Sequence, residues 1–371
     1  TISFSLRALA AAALAIAFAI GGELALRRFA PLETAVWGEL PALESHPTRT
    51  FALIPNRVTH LRYNDYDYTV RTNSLGLTSP EIPFARPTPN AFRVYVAGDA
   101  FAMPEGLDYA QSFPSLLGKR LQSCLSPRAV QVIDGGVTGY GPNEERAQLA
   151  ELAPQYRPDV IVDQFYINEF TDVVATPADF RESIGLNLAR RGVVRRFRDR
   201  SQLKTRFGRV ERAAVESLTG HPAQWRYQLS MLDYYRTGDN PIYDARTMRV
   251  MAEALAGMKQ VADTSGSRLL IAFVPGAVAV TDPARLTHLP RGEDPRDPRA
   301  YDLSRPYRAL RQIADSLGIA TLDLTGALRS SAEQPTYYAA AWHWTAAGHR
   351  AAAGAIAQTL GRLGALGAQC Q

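Results

Sequence analysis

Residues Phe92 to Leu107 read Phe-Arg-Val-Tyr-Val-Ala-Gly-Asp-Ala-Phe-Ala-Met-Pro-Glu-Gly-Leu, and this stretch decides how the remainder of the chain is read. Its first half is an apolar, β-branched and aromatic run of the kind that fills a strand buried on both faces. It breaks at Gly98 into a turn of small residues ahead of the next helical pattern. In α/β proteins, chemistry is placed where a strand ends and a helix begins. Further strands are expected at 129–133, 160–165, 269–274 and 320–324, with helices near 113–124, 143–155, 247–264, 305–317 and 346–363. Strands alternating with helices in this way predict right-handed βαβ units and a parallel sheet. The expected fold is therefore a flavodoxin-like three-layer α/β/α sandwich of five strands.

Upstream of that core, Val58 to Tyr63 and Tyr66 to Thr72 look like two short strands around the hairpin break Asn64-Asp65. Pro31 to Pro55 is Pro-punctuated and predicts an irregular linker over 31–57. Phe4 to Leu26 is apolar except for Arg7 and Glu23, and about 20 apolar residues suffice to cross a bilayer. The segment 1–30 is accordingly expected to be a single transmembrane anchor, the bland alternative being a buried soluble helix. Between the third and fourth strands, Glu169 to Ala245 is too long for a simple crossover, so an inserted helical segment is expected at about 170–245. Inside it, Arg190, Arg191, Arg195, Arg196, Arg198, Arg200, Lys204, Arg206, Arg209 and Arg212 form a basic run. That run suits a solvated helix face, or a surface for anionic lipid or an acidic partner.

With 41 basic and 36 acidic residues the net charge is only +5, and no zinc-finger, helix-turn-helix or RNA-binding pattern accompanies it, so nucleic acid is not an expected partner. Neither metal-ligand spacing nor a phosphate-binding glycine loop is present, which leaves no expected metal or cofactor. The two cysteines, Cys124 and Cys370, fall at the ends of helices that a flavodoxin-like sheet places on one face. They are either a disulfide formed in an oxidising, exported setting or two separate thiols.

The stretch around Gly98, Asp99, Glu105 and Gly106 resembles the first block of the SGNH (GDSL-type) hydrolases, in which a strand ends in Gly-Asp-Ser. Ala100 stands at the position of the nucleophilic serine. Gly135 to Gly141, opened by Asp134, resembles the second block, and Gly139 falls on its oxyanion glycine. Tyr166-Ile167-Asn168-Glu169 resembles the third, with Asn168 at the oxyanion asparagine, the bland alternative being a helix or loop cap. Trp342-His343-Trp344 resembles the terminal block, with His343 at the general base and Thr345 placed to cap the last helix. The aspartate expected two or three residues before that histidine is missing, because Ala340 and Ala341 occupy both positions. Asp323 is the carboxylate considered as a substitute. Asn73 to Leu77 is similar to a segment that precedes the catalytic domain in membrane-anchored members.

The resemblance implies an SGNH hydrolase fold over 58–371 with the serine and aspartate of its triad lost. It further implies a domain that has become a structural or binding subunit of a membrane-embedded complex. The expected setting is the bacterial inner membrane, with the bilayer as a partner, the domain on the periplasmic side and a vestigial small anion or acyl ligand. The alternative is an active esterase or O-acyltransferase, acting on envelope polysaccharide or another acyl ester, whose serine has been changed to alanine.

Overall fold

The computed structural model of the chain describes residues 2–29, 42–62, 65–175, 231–286, 289, 293–339, 341–367 and 370. The basic run, Ala340 and most of the expected insertion lie outside these residues. Helix α1 (Ile2–Phe29) lies in the first of two compact units. Along it Leu14, Ile16, Phe18, Ile20 and Leu24 are all exposed. Among the described residues, no helix is long and apolar enough to cross a membrane. The side chains of 1–10, 12 and 27 are outside that set, so the expected anchor stands on the sequence of the segment.

The second unit is the α/β core. Five strands, β5 (Phe92–Gly98), β6 (Val130–Asp134), β7 (Val160–Tyr166), β8 (Arg268–Val274) and β9 (Ala320–Asp323), form one parallel sheet in the order β6-β5-β7-β8-β9. All seven residues of β5 and all seven of β7 are buried, as a central strand covered on both faces requires. Between the strands run α2 (Phe113–Leu125), α3 (Pro142–Tyr156), α5 (Ala245–Thr264) and α6 (Arg305–Ser316), and α8 (Ala346–Arg362) closes the chain. Short helices α4 (Glu169–Asp172) and α7 (Thr325–Arg329) follow β7 and β9. This is the sandwich expected from the sequence, with β5 flanked by β6 and β7, so that the loops after these three strands emerge side by side.

Helices α2 and α8 lie against each other, and Cys124 is disulfide-bonded to Cys370 with Cα atoms 5.7 Å apart. Of the two readings open for the cysteines, the structure has the bonded one.

Two antiparallel hairpins precede the sheet. The pair β3 (Val58–Arg62) and β4 (Asp67–Arg71) is the one expected, and the Asn73 side chain then pins the next turn by accepting from the N–H groups of Leu75 and Leu77. The other hairpin corrects the sequence reading. Residues expected to be irregular linker form β1 (Leu43–His46) and β2 (Thr50–Leu53). Phe51 and Leu53 are buried, the Phe51 ring meets Tyr140 edge-on, and the Tyr140 hydroxyl donates to the Phe51 carbonyl. Arg49 also pairs with Glu151, so the hairpin is fastened to α3 and its preceding loop.

Candidate active site

The turn after β5 is held from below by one side chain. Gln164, on the neighbouring strand β7, accepts hydrogen bonds at its Oε1 from the N–H groups of both Asp99 (3.1 Å) and Ala102 (3.0 Å). Asp99 folds back to accept from Phe101 N–H at 2.9 Å, which leaves Ala100 at the apex. Burial pushes the Asp99 carboxyl up to about 7. Among the described residues, no acceptor takes the Ala100 N–H.

After β6, Asp134 accepts from Gly136 N–H at 3.0 Å and from the Thr78 hydroxyl at 2.8 Å. Asp134 thus fastens the loop that it opens. Gly136 is required by space, since a Cβ there would lie 2.4 Å from Met103 N on the β5 turn. Gly139 is required by conformation, with φ at +84°. Its N–H also has no acceptor among the described residues.

After β7, Asn168 occupies the cap position of α4 but makes no side-chain capping bond, so the capping reading does not describe it. Its Nδ2 donates to Asp172 Oδ2 at 2.9 Å, while its Oδ1 is buried without a partner. One amide hydrogen is therefore committed to Asp172, whose carboxyl burial raises well above its ordinary range.

His343 lies on a short antiparallel bridge between Tyr337 and Trp344, and its carbonyl accepts from Tyr338 N–H. Its imidazole is 5.3 Å, centre to centre, from the ring of Phe101, the residue after Ala100. Trp344 is fully buried and meets Phe101 edge-on at 4.9 Å, which seats this segment against the β5 turn. Thr345 holds the cap position of α8, but its hydroxyl goes to the Pro335 carbonyl instead of the helix. His349, farther along α8, is a core residue: its Nδ1 accepts from Phe113 N–H, and burial lowers its pKa to about 3.

A carboxylate does lie beside His343, and it is that of Glu105. His343 Nδ1 is 3.2 Å from Glu105 Oε1 and 3.0 Å from the Tyr66 hydroxyl. The Glu105 side chain is wholly buried, and its two oxygens accept from Tyr66 (3.3 Å) and from Thr138 (2.9 Å). Asp323, the substitute considered from sequence, instead accepts from Thr325 N–H at the start of α7. Ala341 N–H donates to Asp65. Glu105 and Gly106 were visible as part of the first block, but nothing local tied that carboxylate to a histidine so far along the chain.

Among the described residues, no group of His, Cys, Asp and Glu could hold a metal ion.

Residues 234–370 match the family pattern described as ALGX, the SGNH hydrolase-like domain of the acetyltransferase AlgX. Over that part of the chain the sequence is similar to an SGNH hydrolase-like domain. Solved structures that resemble it include TesA, at 17% identity over 73% of this chain and 99% of that one, with a TM-score of 0.41. LAE5, an α/β hydrolase from the metagenome of Lake Arreo in Spain, is 13% identical over 75% and 98%, with a TM-score of 0.43. A catalytic mutant of Axe2, an acetylxylan esterase from Geobacillus stearothermophilus, is 12% identical over 76% and 97%, with a TM-score of 0.41. No curated protein matches. The family pattern covers β8, β9 and the terminal block with His343; it does not extend to the turn at Ala100.

Proposed function

We propose that this SGNH hydrolase-like protein is catalytically silent, and that it serves as a structural or binding subunit of a membrane complex, anchored through its N-terminal helix. The observation that carries the first half is the methyl group of Ala100 at the apex of the turn. A methyl group has neither a lone pair with which to attack a carbonyl nor a proton to give to a base. The second half is supported by the apolar run Phe4 to Leu26, by the exposed large side chains along α1, and by the Cys124–Cys370 disulfide, a bond that persists in exported compartments.

Two measurements test the proposal. The purified full-length chain should release no acid from short-chain acyl esters above buffer background, and sustained turnover would sink the silent reading. Native membranes solubilised in mild detergent should yield the chain in a larger assembly with reproducible partners; a free monomer would sink the subunit reading.

A second reading, an active esterase or O-acyltransferase with its serine replaced, is favoured by one observation. The carboxylate beside His343 is not missing but comes from Glu105. The codon for residue 100 in the native gene separates the two, because a serine codon there is incompatible with a natural alanine.

A further inference from the structure

The hydrogen bonds around Glu105 bear on the tautomer of His343. As a carboxylate, Glu105 can only accept hydrogen bonds. Its Oε2 receives the Thr138 hydroxyl hydrogen, and its Oε1 receives that of Tyr66. A phenol has one hydrogen, so once the Tyr66 hydroxyl has turned it toward Glu105 it faces His343 with a lone pair. Nδ1 of His343, 3.0 Å from that oxygen and 3.2 Å from Glu105 Oε1, then faces a lone pair and a carboxylate, an arrangement that favours the tautomer with the ring hydrogen on Nδ1. The basic nitrogen is left as Nε2. This is the tautomer a general base needs when its carboxylate partner sits at Nδ1.

We propose that Glu105, acting with Tyr66, is the positioning carboxylate for His343, and that the site is one hydroxyl short of a working Ser-His-Glu triad. The proposal rests on the silent reading of Ala100 given above. It places the carboxylate five residues beyond the nucleophile position, in the loop after β5, instead of beside the histidine. The loop is suited to the task because Glu105 is buried and held by two hydroxyls, which fixes the carboxylate before any substrate arrives.

If Ala100→Ser is made, the introduced Oγ can attack an ester carbonyl carbon while its proton passes to His343 Nε2. The C–O bond to the alcohol then breaks, and the alcohol leaves with that proton. Water next attacks the acyl-enzyme and gives its proton to Nε2. The acid is released as Oγ recovers the proton.

The experiment uses the full-length chain and p-nitrophenyl acetate. Ala100→Ser is expected to raise turnover at least ~100-fold over the wild-type chain. Adding Glu105→Gln, which keeps the shape and removes the charge, is expected to lower kcat by ~10⁴-fold with KM nearly unchanged, the size of loss seen when a triad loses its carboxylate. A folded Ala100→Ser chain no faster than wild type would overturn the proposal, as would an Ala100→Ser/Glu105→Gln chain as fast as Ala100→Ser alone. Should Glu105→Gln fail to fold, imidazole ¹⁵N spectra of the wild-type chain decide the matter. Neutral His343 protonated at Nδ1 supports the relay, and protonation at Nε2 overturns it. Turnover by the wild-type chain would sink only the silent reading, and its loss on Glu105→Gln would still support the relay.

Discussion

Gln164 fixes the geometry at Ala100 more than any residue of the turn itself. One carbonyl oxygen satisfies two N–H groups, those of Asp99 and Ala102, both within a buried turn. Gln164→Ala should therefore leave two buried donors unpaired, each costing ~1–3 kcal/mol. Urea unfolding should show a loss of about 2–6 kcal/mol, and a change under half a kcal/mol would mean that water or a rearranged backbone replaces the amide. The positions of Ala100, Gly139, Asn168 and His343 could be read from sequence because each adjoins a strand or helix with a recognisable local pattern. The roles of Gln164 and Glu105 could not. Gln164 reads as one more residue of a buried strand, and the partners of Glu105 are Tyr66 and His343, which are 277 residues apart. No periodicity encodes a contact between loops that only tertiary folding brings together.

The sheet and its helices were legible nearly to the residue, since a strand covered on both faces must be almost wholly apolar and Pro or Gly marks the breaks. The β1–β2 hairpin escaped because its strands are four residues each and its anchoring contacts, Phe51 on Tyr140 and Arg49 on Glu151, lie with partners far along the chain. At this scale the strongest restraint is the Cys124–Cys370 bond, which joins positions separated by 246 residues across the α2–α8 contact. Cross-links of this span restrict the unfolded chain, and losing one from a domain typically costs ~2–5 kcal/mol. Cys124→Ser should lower urea stability within that range, and reductant should lower wild-type stability equally while leaving the variant unmoved. If reductant destabilises both alike, the effect lies elsewhere than in this bond.

Across the core, several carboxyls are buried. Burial pushes Asp99, Asp134 and Asp163 each up to about 7, and it raises Glu145 and Glu169 well above the ordinary range, with Asp163 adding to the rise at Glu145. A group whose pKa is raised by folding binds its proton more tightly in the folded state, so its contribution is complete below the unfolded pKa and is lost as pH rises through the folded one. His349, lowered to about 3, works the other way and contributes above its unfolded pKa. The carboxyls outnumber it, so unfolding free energy at about pH 5.5 should exceed that at about pH 8. Glu145→Gln should flatten the difference, and a chain more stable at the higher pH would contradict the assignment. The disulfide carries a separate consequence for the whole molecule. The chain has two cysteines, and two sulfurs can be joined within one chain in a single way. Oxidative refolding of reduced chains at high dilution thus has no scrambled isomers to sort. Recovery of native protein should be limited by the supply of oxidant and not by thiol–disulfide exchange, whether or not an isomerase is added.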